Sequence, residues 1–335
     1  MQSGDCELLR IENLRVDYAT SSVPIHALEG VSLNVQPKEF AAVVGESGSG
    51  KSTLALSIIK LLPPNATLEG KILYKGTDVV CLNDDDMTRL RGTQISMIFQ
   101  EPLSSLIPVR KIGDQMLEAI KLRKGREIIN AGFREQVGGD KRPKDEVLAW
   151  LDAVKIPDSE RVAEMYSFEL SGGMVQRVMI ALALSLGPSL LLADEPTTAL
   201  DVTTQAGILK LVRELADETG IAVLLVTHDL GVAAQVADRV VVMYAGVVVE
   251  EARTEELFSN PLHPYTQKLM RCFPKGSKGK EKLEMIQGSV PDLSKEIRGC
   301  KFSERCALVT ERCLDSSPRF VEVNKDHYVR CTQYY

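Results

Sequence analysis

At 335 residues the chain is too long for a single small core and predicts about two domains. Its 44% hydrophobic and 26% charged residues are ordinary for a soluble globular protein. The net charge of −6, from 46 acidic and 40 basic side chains, argues against a general nucleic-acid binder.

The opening "MQSGDCELLR" is acidic and has no apolar core, so no secretory signal is expected there. "FAAVV" (40–44) reads as a buried strand, and it runs into "GESGSGKST" (45–53). A helix is expected over 51–61, stopped by Pro63-Pro64. "QISMIF" (94–99) is a second strand; from about 109 to 169 the pattern turns charged and helical, as in "KDEVLAWLDAV". The longest apolar stretch, 178–193, is broken by Gly187-Pro188 and falls short of the roughly 20 residues a spanning helix needs. It reads as helix, turn and strand, so the chain is expected to be soluble and to meet a membrane only through a partner. "SLLLAD" (189–194), "IAVLLVTH" (221–228) and "RVVVMYAG" (239–246) are further strands. Near-continuous apolar strands separated by helices predict an α/β fold with a parallel sheet covered on both faces. Beyond 273 the Gly- and Lys-rich "PKGSKGKEK" reads as a linker to a small tail.

"GESGSGKS" fits G-x-x-x-x-G-K-[ST], the phosphate-binding loop, with the strand before it and the helix after it that the motif requires. Gly45, Gly48 and Gly50 admit backbone conformations that a side chain would block, so the amides from Gly45 through Glu46, Ser47 and Ser49 can form an anion nest. The dipole of the following helix adds to it. Lys51 is expected to reach the β- and γ-phosphates of ATP, Ser52 to ligate Mg²⁺, and Thr53 to add a phosphate contact. In "LLLADEP" (190–196), Asp194 ends an apolar strand and can hold Mg²⁺ through water, while Glu195 stands where a general base for an attacking water is needed. Between the two motifs lies "LSGGM" (170–174), where Ser171, Gly172 and Gly173 open a helix. One γ-phosphate does not need two amide-rich helix starts, so the second is expected to serve the nucleotide of another molecule.

These motifs, in this order, resemble the nucleotide-binding subunits of ATP-binding-cassette transporters over residues 7–273. The resemblance implies a P-loop NTPase cassette over 1–273, with a helical subdomain at about 106–172 inserted in the core. Residues 274–335 would form a linker and a small Cys-rich C-terminal domain. It also implies that Tyr18 stacks on adenine, that Gln100 senses Mg²⁺ and the attacking water, and that His228 contacts the γ-phosphate. "ALD" (199–201) matches the D-loop. Met174 stands where glutamine is usual.

"NPLHPYTQKLM" (260–270) and the tail "GCKFSERCALVTERCLDSSPRF" are similar to the D-type subunits of the peptide and nickel permease branch. Ile107, in place of the usual asparagine, and the missing proline after Cys306 depart from that branch. The branch implies an F-type ATPase partner in a heterodimer, two membrane-spanning permease subunits and an extracytoplasmic solute-binding protein. It implies a peripheral position on the cytoplasmic face of the cell membrane and uptake of di- and oligopeptides. Nickel or oligosaccharides are alternatives, and so is a soluble cassette ATPase working on DNA or the ribosome. That last class tends to carry paired cassettes or long coiled-coil insertions, and neither is present.

Seven cysteines are present, and Cys300, Cys306, Cys313 and Cys331 crowd the tail. Their gaps of five, six and seventeen residues are unlike short zinc knuckles. Four thiolates suit a [4Fe–4S] cluster or a zinc ion on chemistry alone, and the resemblance favours the cluster. Unliganded thiols in a small core and His327 as a substitute ligand are the alternatives. A segment this short is expected to need such a staple to fold.

Overall fold

The computed structural model describes residues 7–101, 105–125, 142–198, 200–272 and 286–335. Its strands are β1 (Leu9–Tyr18), β2 (Ile25–Val35), β3 (Phe40–Val44), β4 (Ala66–Tyr74), β5 (Thr77–Asp78) and β6 (Ile95–Ile98). They continue as β7 (Leu190–Asp194), β8 (Ala222–Thr227), β9 (Arg239–Tyr244), β10 (Val247–Arg253), β11 (Val321–Asn324) and β12 (His327–Val329). The chain divides into two compact units, each assembled from separated stretches.

The first unit takes residues 1–8, 35–40 and 81–225. Its strands run in the order β8-β7-β6, and β6 and β7 pair in parallel from Ile95↔Leu190 to Ile98↔Ala193. β7 is buried along its whole length, as a strand covered on both faces must be. Helices Ile112–Gly125 and Pro143–Ala153, in the stretch where charged helices were expected, pack against each other and against helix Gly172–Ser185, which follows it. At their centre Arg123 donates from Nη2 to Glu146 Oε1 and from Nη1 to Ser185 O at 2.7 Å, and Lys124 Nζ lies 3.1 Å from Glu146 Oε2. Glu146 is fully buried, so this ion pair is part of the core.

The second unit takes residues 9–34, 41–80 and 226–335. One sheet runs β2-β1-β4-β5, with β1 and β4 antiparallel. β1 alternates buried and exposed side chains, the period-2 pattern of a half-buried strand. The other runs β11-β12-β10-β9-β3. β3 and β9 are parallel, whereas β9–β10, β10–β12 and β11–β12 are antiparallel. The expected parallel pairing is present, and antiparallel strands join it to make the sheet mixed. Short connections after β9 and β11 leave room only for hairpins, which reverse the strand direction.

The tail docks on the rest of its unit. β12 pairs with β10 through Glu250↔Val329 and Glu251↔Tyr328, and Leu262, Val329 and Cys331 form a shared apolar cluster with Val321 and Tyr334 packed on it. Docking on the rest of the unit supplies apolar burial that the segment cannot supply alone. The expected start of the tail and its linker, 273–285, lies outside the described residues. The expected helix over 51–61 ends at Ile58.

Candidate functional site

In the second unit, β3 is fully buried and delivers the chain into the phosphate-loop motif. A Cβ on Gly45 would lie 2.2 Å from the Met243 carbonyl on β9, so only glycine lets the two backbones approach. Gly50, at φ 95°, is the N-cap of helix Lys51–Ile58, and a Cβ there would lie 2.6 Å from Ala27 O. Lys51 is buried, and its ammonium donates to Gly45 O at 2.8 Å, Glu46 O at 2.9 Å and Ser49 Oγ at 3.4 Å. A positive charge thus stands at the centre of a turn of backbone groups at a helix N-terminus, the arrangement that receives phosphate. Tyr18 Oη lies 3.0 Å from Thr53 Oγ1, which brings the tyrosine from the end of β1 to the loop. His228 is exposed immediately after β8, and Asp229 caps the next helix by accepting from Val232 N at 3.1 Å.

In the first unit, Asp194 is the buried last residue of β7, and Glu195 turns the chain at φ 44°. Non-glycine residues adopt the left-handed region at a cost, commonly at functional sites. Thr198 Oγ1 donates to Glu195 Oε2 at 3.1 Å, and Gln100 Nε2 donates to the same oxygen at 3.3 Å. Two residues 95 positions apart, singled out independently in the sequence, thus meet. Ser171 is the N-cap of helix Gly172–Ser185 and accepts from Met174 N at 3.4 Å. A Cβ on Gly173 would meet Thr204 Cγ2 at 3.3 Å. Asp201 caps the helix at Val202–Thr219, accepting from Thr204 Oγ1 at 2.6 Å, and this bond draws its carboxyl below the usual range. Ala199, in the D-loop motif, lies outside the described residues.

The four tail cysteines are free thiols. They lie near enough to influence one another's ionisation, and Cys300 N donates to Cys313 O at 2.7 Å. Burial pushes Cys300 up to about 11 and also raises Cys306 and Cys331. Burial opposes the Cys313 thiolate too, but hydrogen bonds with the Thr310 and Thr332 hydroxyls outweigh it and draw that thiol down. Among the described residues no three His, Cys, Asp or Glu side chains are arranged to hold a metal ion. The thiol chemistry suits a cluster, but the spacing seen here does not form a ligand set. His327 is not a substitute ligand: its Nε2 faces Glu250 Oε1 at 2.9 Å and its Nδ1 faces Glu256 Oε1 at 3.3 Å. Both ring nitrogens are engaged, so neither is available to a metal.

Sequence reasoning missed the residues that hold the phosphate loop from outside. Tyr265 Oη accepts from Glu46 N at 2.9 Å, and Arg305 donates to both Glu46 carboxylate oxygens, at 2.7 and 3.0 Å. Tyr265 sits in the noted segment "NPLHPYTQKLM", which was a signal without a role; Arg305 carried none.

The model of ABC transporters matches residues 28–198, half of the chain. The chain belongs to the ABC transporter family. It is accordingly a cassette ATPase. The model of the C-terminal region of oligopeptide and dipeptide transporters matches residues 249–313. A putative peptide import ATP-binding protein of Brucella ovis is 43% identical, covering 98% of this chain and 97% of its own. The oligopeptide transport ATP-binding protein OppD of Haemophilus influenzae is 41% identical, covering 97% and 96%. Among solved structures, a dimeric bacterial ABC transporter cassette aligns with TM-score 0.62 at 31% identity, covering 73% of this chain and 98% of that one. Among the described residues of this ABC ATPase, no helix is long and apolar enough to cross a membrane.

Proposed function

We propose that this ABC ATPase powers a membrane importer of di- and oligopeptides. The observation that carries the substrate class is the match of residues 249–313 to the C-terminal region of oligopeptide and dipeptide transporters. Relatives named for peptide import along nearly their whole length support it. The chain works at the cytoplasmic face of the membrane, with two permease subunits, a solute-binding protein and an F-type ATPase sister. The domain division carried with this reading is a cassette over 1–273 and a Cys-rich tail over 274–335.

Lys51 and the loop amides bind the ATP phosphates, with Ser52, Gln100 and Asp194 as the ligands of Mg²⁺, whose charge offsets that of the phosphates. A buried ammonium at a helix N-terminus and a buried strand-end carboxylate are groups of the right chemistry. Glu195 is the general base, held by the hydroxyl of Thr198 and the amide of Gln100. His228 contacts the γ-phosphate, and the Tyr18 ring supports adenine. Ser171, Gly172 and Gly173 serve the nucleotide of the facing ATPase subunit, so ATP joins the two and its hydrolysis releases them.

The tail carries a finer proposal, a [4Fe–4S] cluster on Cys300, Cys306, Cys313 and Cys331. The mutual influence of the four thiols supports it. So does Arg330, a half-buried cation near Cys300 whose guanidinium donates to the Val248 and Pro318 carbonyls rather than to a carboxylate. Four thiolates would supply the missing negative charge.

The deciding experiment is uptake into vesicles holding the purified complex and its solute-binding protein. Labelled tripeptide should accumulate with ATP and stimulate hydrolysis. Stimulation by nickel or an oligosaccharide, without response to peptides, would overturn the substrate class.

A further inference from the structure

Glu46 is an odd residue for a loop that receives a polyanion. A carboxylate beside the phosphate nest repels what the nest attracts, unless something cancels it. The structure cancels it from the tail. Arg305, buried at the end of the short 3-10 turn Ser303–Arg305, grips Glu46 through two parallel hydrogen bonds from Nη1 and Nη2. Its remaining donors reach Tyr244 Oη at 3.2 Å, Gln287 O at 3.0 Å and Ile286 O at 3.2 Å. All five N–H groups of the guanidinium are placed, a geometry lysine cannot reproduce. The rings of Phe302 and Tyr244 lie against the cation. Glu46 is then fixed at three points: its carboxylate by Arg305, its amide by Tyr265, and its carbonyl by Lys51.

We propose that Arg305 is a positioning residue for nucleotide binding. It neutralises Glu46 at the phosphate loop and fixes the loop's second residue, so that docking of the tail sets the affinity for ATP. This rests on the reading of residues 45–53 as the ATP site. Arg305 touches no reacting atom, so its loss falls on affinity and not on the chemical step.

The test is titration of the full-length chain with a fluorescent ATP analogue and Mg²⁺. Arg305→Gln should weaken binding about threefold to tenfold at low salt, the effect of one uncompensated charge roughly 10 Å from the phosphates. At roughly 0.5 M salt the deficit should shrink by about half or more, because screening reaches that distance. In the Glu46→Gln background the same Arg305→Gln change should cost less than about twofold, since no acid remains to be neutralised. Arg305→Lys should keep most of the affinity by retaining the charge. The kcat of the assembled complex at saturating ATP should stay within about twofold of wild type. Wild-type affinity in Arg305→Gln, with Lys51→Ala losing binding, overturns the proposal while leaving the ATP site intact. An equal loss with and without Glu46 also overturns it, because the arginine would then act only in folding the tail. If Lys51→Ala binds as tightly as wild type, the ATP-site reading falls, and the proposal with it.

Discussion

Replacing Glu146 with alanine tests the core beneath the signature helix. The change removes the carboxylate that faces the Arg123 guanidinium, whose side chain is 8% exposed, while Lys124 is 36% exposed and can turn to water. Breaking a buried ion pair by removing one partner costs about 3–5 kcal/mol, and the exposure of Lys124 points to the low end, about 3 kcal/mol. Trp150, the single tryptophan, is fully buried one turn further along the same helix, so its fluorescence reports this region without a label. With a urea m-value of about 2–3 kcal/mol/M, the midpoint should fall by about 1–1.5 M. The double change Arg123→Met with Glu146→Leu should recover most of that loss, because a packed apolar pair costs no desolvation. A midpoint shift below about 0.3 M for Glu146→Ala would refute the claim that this pair is desolvated in the folded state.

Glu195→Gln should leave binding of Mg²⁺ and ATP near wild type and lower turnover at this chain's site by about 10²–10⁴-fold, measured with the partner's site disabled. The isolated chain should show specific ATPase activity that rises with concentration and with added F-type subunit; a fully active, concentration-independent monomer would refute a site completed by a facing signature. Metal analysis of protein purified without air should find about four irons and absorbance near 400 nm, both lost in Cys306→Ser with Lys51-dependent nucleotide binding retained; one zinc, or neither metal, would end the cluster proposal. Burial lowers the affinity of His327 for its proton, but the hydrogen bonds and charges of Glu250 and Glu256 outweigh it, so its pKa is raised. Its stabilisation of the tail hairpin is therefore complete below the unfolded value near 6.5 and fades as pH rises through the higher folded value. Limited proteolysis of the tail should accelerate over that rise in wild type and show no such step in His327→Gln.

What was legible in the sequence was local. β3, β6, β7, β8 and β9 are near-continuous apolar runs, and such runs announce buried strands from their own residues. The phosphate loop, the strand-end acids and the signature are likewise contiguous strings whose spacing is their chemistry. β1 carries weaker alternation, and its role depends on pairing with β4, 48 to 65 residues on. The antiparallel turn of the sheet at β10 was hidden because its opening valines continue the apolar composition of β9. The docking of the tail was not legible, because its cysteines are conspicuous in the sequence and its contacts are not. Arg305 and Glu46 are 259 positions apart, and no local pattern in either segment points to the other.

The hairpin of β11 and β12 lies along β10, and its position bears on how the chain must be made. β10 emerges from the ribosome well before His327–Val329, and until that segment arrives one side of a largely buried strand offers unpaired amides and carbonyls. Open edges of that kind recruit strands from neighbouring chains. Nascent or C-terminally clipped molecules are therefore the sticky ones. A stop codon or a proteolytic cut anywhere ahead of the hairpin would cost solubility even though every nucleotide motif had already been translated.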